Sequence, residues 1–470
     1  MDAIFDEASG AFSRPGVIAL ARTLAYSYLL CLGRHTISQT LTTCGRQHVD
    51  WTAAYRVFEA ERIEEKPLFA PIRKHVIKAL PKDAPLVVAL DDTALPRRGK
   101  HVANAAWHHD AQGPPFAHQI QWSQRIIEIG AYLPRHKEGP GAVRVVPLDA
   151  TMLDHVARPS SKAGAKAHAE YRQDKAHASA PATAARRIGE LRRRLDEEGE
   201  KDRALHVAVD GGYTNKAVFR TIPHGTALIG RLRKDARLRG VAPPHSGKGR
   251  PRLYGETLDT PAELFANEAV PWKAIELFAA GKTRQFQYKS HDTCCWPGGS
   301  GTRLVRVLVL RPLSPNHHKR QRLYFTHPGY IISSDPALGD AAILQAYINR
   351  WEIEVGFREQ KTVLGLGEAQ TRTAAACRSV VMFRAFCYAL LLLGASQSDL
   401  HLPPRPKWQR ENREGQRPTI GQVLGNLRGE IWGAGIGVPT LSHLTAQPHP
   451  DAKCPKMQNT AKYAVLYAQR

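Results

Sequence analysis

The sequence predicts a mixed α/β protein: an N-terminal helical region, then a sheet-based core interrupted by a β-rich stretch. Three observations predict it. Twice a short apolar run ends in aspartate, in LVVALDDTALPRRGKH (86–101) and in ALHVAVDGGYTNKAVF (204–219). Further on, YINRWEIEVGFREQK (347–361) carries Tyr347, Arg350, Glu354 and Lys361 at helical spacing. At about 100° per residue those four point into an arc of roughly 60°. A helix that only buries a stripe would place leucines there, so this one presents polar groups to something other than a core.

Bulk properties narrow what that something is. The chain has 470 residues, enough for more than one structural unit. It carries 66 Lys+Arg against 43 Asp+Glu, a net charge of +23, and a pI near 9.9. A protein this basic meets a polyanion. The basic residues are spread along the chain and not gathered on one amphipathic helix, which favours nucleic acid over a membrane surface. The cysteines form no CxxC pair and read as reduced thiols. The run from His291 to Cys295 is half a zinc site without a second half. The opening MDAIFDEASGAFSRPG has no basic segment followed by an apolar one, so a soluble, cytosolic protein without a signal peptide is expected. Two apolar runs, VIALARTLAYSYLLCLG and VVMFRAFCYALLLLGAS, carry Arg22 and Arg384 and read as buried helices, not membrane spans.

Element by element, residues 1–80 read as helices. RHTISQTLTTCG stops at Gly45, and DWTAAYRVFEAERI starts under a capping Asp50. The pair fits a helix-turn-helix or an ordinary bundle equally. Residues 81–238 hold the first part of the core, with both aspartates. Leu86 to Leu90 suits a buried strand delivering Asp91 and Asp92 at its tip. PPFAHQIQWSQRIIEIGAYLP reads as another strand, ATAARRIGELRRRLDEEGE as a basic amphipathic helix, and TALIGRLRKDARL as a strand bearing Arg231, Arg233 and Lys234. Residues 239–302 are the β-rich insertion and include the basic loop GKGRPRLYG with Arg250, suited to tracking phosphates. Residues 303–398 return to strands and then helix, from Asp340 through Ser396, and 399–470 form a basic tail with one more helix, TIGQVLGNLRGEIW.

Asp91, Asp210 and Glu354 match what phosphodiester chemistry needs. Two Mg²⁺ ions about 3.5–4 Å apart can clamp the attacking and leaving oxygens of an in-line displacement. Mg²⁺ takes few protein carboxylates and keeps waters and substrate oxygens, so three acids from three elements suffice. Bound metal also lets clustered carboxylates stay ionised.

These residues carry a resemblance. The pattern Y-x2-R-x3-E-x6-K, read as Tyr347, Arg350, Glu354 and Lys361, resembles that of a large class of bacterial insertion-sequence DDE transposases. LDDTALPRRGKH and VAVDGGYTN resemble that class's two aspartate regions, and the likeness covers roughly residues 80 to 395. It implies a ribonuclease-H-like mixed-sheet core with a metal-binding catalytic triad of Asp91, Asp210 and Glu354. The implied cofactor is a pair of Mg²⁺ ions, with Mn²⁺ as substitute. Arg350 and Lys361 would hold phosphates of the element end, and Tyr347 would bond a phosphate or brace the helix. The implied partners are double-stranded DNA, at the terminal repeats and at the target, and a second copy of the chain assembled on DNA. At the first position Asp91 is favoured as ligand, with Asp92 on the far side of the strand.

Structural readings stand beside these. Arg350 and Glu354 could be a simple i,i+4 pair, and Asp210 a turn aspartate capping its own backbone. Trp351 is expected in the core. His101, His108, His109 and His118 suit supporting roles. Trp272 and Trp296 could stack on a displaced base or pack in the β-region. A nuclease that never joins strands, or a DNA-binding protein without catalysis, would share much of this pattern.

Overall fold

A computed structural model describes residues 1–432 except 111, 112, 114, 115, 117, 135–140, 246, 248, 249, 314–325, 399 and 401–416. Twelve strands form one sheet: β1 (Leu86–Pro96), β2 (Ala106–His109), β3 (Ile120–Pro134), β4 (Val143–Met152), β5 (Leu205–Val209), β6 (Thr226–Arg231), β7 (Leu238–Arg239), β8 (Thr257–Leu258), β9 (Lys273–Ala279), β10 (Lys282–Cys295), β11 (Leu304–Leu310) and β12 (Gly329–Ser333). The helices before the second aspartate are α1 (Asp2–Glu7), α2 (Pro15–Leu30), α3 (Ile37–Thr43), α4 (Thr52–Glu59), α5 (Glu65–Ala79), α6 (Ala165–His177) and α7 (Ala180–Glu197). After it come α8 (Lys216–Phe219), α9 (Pro261–Ala266), α10 (Asp340–Asn349), α11 (Trp351–Arg358), α12 (Ala374–Ser396) and α13 (Ile420–Trp432).

Strand β1 is the axis of the molecule. Leu86, Val88 and Leu90 are buried in one apolar cluster and Ala89 in a second, while β3 pairs with the strand antiparallel on one edge and β5 parallel on the other. A strand covered on both faces reads as a continuous apolar run, which is why LVVAL does not alternate. β6 continues the parallel set beside β5. Leu90 is in register with Val209, and Val209 with Gly230. The next residues along these three strands are Asp91, Asp210 and Arg231, which lie where the parallel pairing stops. Asp91 is not the expected strand tip, because β1 runs on to Pro96 paired with β3. The strands of 239–302 are not a separate sheet: β10 pairs with β11, β11 with β12, and β12 with β6.

The long apolar run near the end of the chain is α12, whose Thr373 caps its start by accepting from the Ala376 N–H. By length and composition α12 could cross a bilayer, but it is sequestered inside the fold. It lies on β4 and against α2, α4 and α5. Phe383 meets Phe58 edge-on at 5.6 Å, and Phe386 stands 5.9 Å from Phe5 and 6.1 Å from Phe69. Buried Arg384 donates to the carbonyls of Gly365 (2.8 Å) and His35, with its guanidinium 4.8 Å from the Tyr28 ring centre. Such a cation is tolerated because its donors are satisfied by backbone oxygens.

Gly45 and Asp50 act as the sequence suggests. Gly45 has φ +71°, and Asp50 accepts from the Thr52 N–H at 2.9 Å. Yet Ile37, Leu41, Val57 and Phe58 of α3 and α4 are buried in the same core cluster as β1. The helix pair is therefore bundled into the body of the protein.

Candidate active site

The polar segment 347–361 spans the end of α10, Arg350, α11 and a π-helical turn at Glu359–Val363. Ile353 and Phe357 are buried under it. Trp351 corrects an expectation: it is 64 % exposed, not in the core. Two residues from Ile353, it points roughly 160° away from the buried side of the helix.

Asp91 is only 6 % exposed. Its Oδ2 accepts from Arg350 Nη1 at 2.6 Å, and its Oδ1 accepts from the Asp92 N–H at 2.9 Å. Burial pushes the Asp91 carboxyl far above the ordinary carboxylate range; the guanidinium opposes this, while Asp210 and Glu354 add to it. Burial is the largest single influence on Arg350 and works against its charge, but Asp91, Tyr347, Asp210 and Glu354 together outweigh it and the guanidinium pKa rises. Arg350 lies 3.9 Å from Glu354, so its closer carboxylate is Asp91 and the i,i+4 pair is the secondary contact. The guanidinium also stands 5.9 Å from the Tyr347 ring centre. Lys361 donates to Thr93 Oγ1 at 2.8 Å, two residues beyond Asp91 on the same face of β1. Burial lowers the Lys361 pKa, with Glu354 pulling the other way.

Asp210 makes the contacts of a turn aspartate and also stands close to Asp91. Its Oδ1 accepts from the N–H groups of Gly212 (2.8 Å) and Tyr213 (3.2 Å), as in a turn. Its position beside Asp91 lets it act on that group. Thr214 Oγ1 donates to the Asp210 carbonyl at 2.9 Å. A Cβ on Gly230 would lie 2.1 Å from that Oγ1. Gly230→Ala is therefore expected to displace Thr214 and the Asp210 turn. We expect about a 10-fold or greater loss of cleavage, with a stability cost of about 1–3 kcal/mol, measured by turnover and urea unfolding together. Full activity in the variant would remove this spacing role.

Four further residues, Arg125, Glu128, Tyr213 and Gln360, join the site at positions to which the sequence assigned no role. Asp92 faces the other side of β1, where Arg125 Nε (2.8 Å) and the Tyr213 hydroxyl donate to it. Glu128, the cross-strand partner of Asp91, is fully buried and accepts from Gln360 Nε2 at 2.8 Å. Their one signal in the sequence is charge inside a strand, Arg125 and Glu128 within SQRIIEIGAYL.

Burial pushes Glu128 up to about 8, with Gln360 opposing and Asp149 adding to the rise. Between its ordinary 4.5 and about 8, the unfolded chain gives up this proton while the folded chain keeps it. Glu128 thus makes stability fall as pH rises through that window. Glu128→Gln is expected to flatten the dependence and to stabilise the protein at pH 8 by about 1–3 kcal/mol. Denaturant melts at pH 5 and pH 8 check it; parallel pH profiles for both proteins would refute it.

The remaining candidates are dispersed. Arg231 is close enough to act on Tyr347 electrostatically. Arg233 is 84 % exposed and pairs with Asp235 at 2.9 Å. Arg250 is exposed in its loop, of which residues 246, 248 and 249 lie outside the described residues. His108 is half-buried, and His101, His109 and His118 are exposed. Both insertion tryptophans have packing partners: Trp296 meets Phe219 at 5.5 Å, and Trp272 meets Phe265 at 5.4 Å and Lys289 at 4.5 Å. His291 Nε2 bonds the Asp259 carbonyl at 3.1 Å, and buried Cys294 bonds that of Val305 at 3.6 Å.

Among the described residues no three His, Cys, Asp or Glu side chains converge as a ready-made metal cage. The donor chemistry around Asp91 nevertheless fits a hard divalent ion. Asp91 feels both Asp210 and Glu354 as unfavourable neighbours, and a cation would relieve that repulsion. Holding one there requires Arg350 to release Asp91 Oδ2.

The chain matches the family described as DDE superfamily endonuclease over residues 11–293, and it belongs to that family. Membership implies a nuclease or transposase acting on DNA, in a family generally dependent on divalent metal. The matched span includes Asp91 and Asp210 and ends before Glu354. No curated protein matches the chain.

Proposed function

We propose that this protein is a cut-and-paste DDE transposase of the insertion-sequence type. It binds the terminal inverted repeats of its own element, cuts there, and joins the freed 3′-OH to target DNA. The observation that carries this reading is the alignment of Asp91, Asp210 and Arg231 just past the last parallel pairs of β1, β5 and β6, with Arg350, Glu354 and Lys361 brought to them from one helical segment. The order β4-β3-β1-β5-β6, antiparallel then parallel, supports a ribonuclease-H-like core.

Asp91, Asp210 and Glu354 would hold two Mg²⁺ ions, which when bound supply Lewis-acid activation of the attacking oxygen and charge stabilisation of the leaving one. The chain's own groups do the rest. Arg350 changes partner from Asp91 to a DNA phosphate, and Lys361, held by Thr93, stands ready for a second phosphate. Tyr347 braces the Arg350 guanidinium with its ring. Arg231 extends the cationic row at the strand ends. Arg233 and Arg250 would contribute outlying phosphate contacts. Processing two ends together favours a dimer on DNA.

The test is a duplex carrying the element's own ends, with Mg²⁺ or Mn²⁺, assayed for joined as well as cut products. Strand-transfer products are expected. Cleavage without joining would leave a nuclease, and metal-independent binding without cleavage would leave a DNA-binding protein only.

A further inference from the structure

Helix α6 has thirteen residues, AKAHAEYRQDKAH, and none is buried. Its N-cap, Gly164, supplies no side-chain bond. A helix of this length without an apolar stripe is marginal in water, so α6 lacks the usual source of helical stability.

What lies beneath it gives that source a chemistry. A cleft of about 270 Å³ separates α6 from the sheet. Tyr171 and Lys175 of α6 form one wall, with the ammonium 5.5 Å from the ring centre. Arg125, His108 and His155 face them. The one acid lining the cleft, Asp154, is neutralised by Arg378 at 2.6 Å. Arg125 also holds Asp92, the residue next to Asp91, so the cleft and the Asp91 carboxylate sit on opposite faces of β1. Arg158, Lys162, Lys166 and Arg172 extend the basic surface along α6 and its approach, against Glu170 and Asp174.

We infer that α6 and this cleft clamp one sugar–phosphate strand of the DNA being processed, and that α6 gains its order from that contact. The inference rests on the DNA-cleaving reading above. Cations supply the affinity for backbone phosphate, and Tyr171 offers a flat face to a sugar or base. Because α6 buries nothing of its own, substitutions on it leave the fold intact.

Hydrogen exchange of the full-length protein, with and without a duplex of arbitrary sequence at low salt, tests this. Amides of 165–177 should exchange quickly in the free protein and at least about 10-fold more slowly on the duplex. The double variant Arg172→Ala, Lys175→Ala should bind the duplex about 10-fold more weakly and lower the salt slope by about 2. A duplex that binds while α6 exchange and the salt slope stay unchanged overturns the clamp and leaves the DNA reading standing. Protection that grows with protein concentration in the absence of DNA assigns α6 to a second copy and also overturns it. Absence of duplex binding at low salt removes the DNA reading, and the clamp with it.

Discussion

Glu354→Gln should lose metal-dependent cleavage by about 10³-fold, which is ~4 kcal/mol of barrier, while DNA affinity stays within about twofold. Glu354 is 40 % exposed, and its one ion-pair contact, with Arg350, is long at 3.9 Å. The amide keeps the shape but removes the charge, so folding stability should change by no more than ~0.5 kcal/mol. Activity would then fall without a structural cause. A duplex-cleavage assay run beside a binding titration and a thermal melt separates the three quantities. Cleavage that persists would make α11 a phosphate-holding element and move the chemistry elsewhere.

Arg350→Gln should be the more damaging change to the fold. It strands Asp91, a buried carboxylate, beside Asp210 and Glu354. Breaking one partner of such a pair costs about 3–5 kcal/mol. The cost should depend on pH with a definite sign. Without the guanidinium, burial and the two neighbouring acids hold the Asp91 carboxyl above its ordinary 3.8. Asp91 is already raised to about 8 in wild type, so both proteins lose stability as pH climbs above 3.8. Losing the guanidinium raises it further, so the variant's extra loss should appear only above about pH 8. Asp91→Asn combined with Arg350→Gln should recover about half or more of the loss, because no charge is then left buried. A double variant no more stable than Arg350→Gln alone would show that Arg350 braces the fold through other contacts.

The two aspartates could be read from the sequence because a buried parallel strand is a continuous apolar run. Its first acid follows the end of β5, but in β1 it marks only where the parallel pairing stops, the strand itself running on to Pro96. The polar line from Tyr347 to Arg350 and Glu354 was equally legible, since helical periodicity alone puts those side chains together. The same spacing names Lys361 as well; what no residue pattern in EQKTV announces is the π-turn that carries it. Trp351 was misplaced because a bulky ring suggests burial, while its angle from Ile353 decides otherwise. Arg125 and Tyr213 were invisible because their partner, Asp92, lies 33 residues from one and 121 from the other. The pairing of α3 and α4 with the body of the protein was invisible for the same reason: local signals describe the turn between two helices, not what lies under them.

The Arg384–His35 contact joins residues 349 apart in the chain. At roughly 5–20 residues per second on the ribosome, the N-terminal helices wait about 20–70 s for the helix that covers them. During that interval the sides of α2, α4 and α5 that α12 covers have only one another and their N-terminal neighbours to pack on. A message truncated before α12 therefore yields a chain prone to aggregate, not a free-standing DNA-reading head. Transplanting residues 1–80 onto another core would carry the same exposed surface with it.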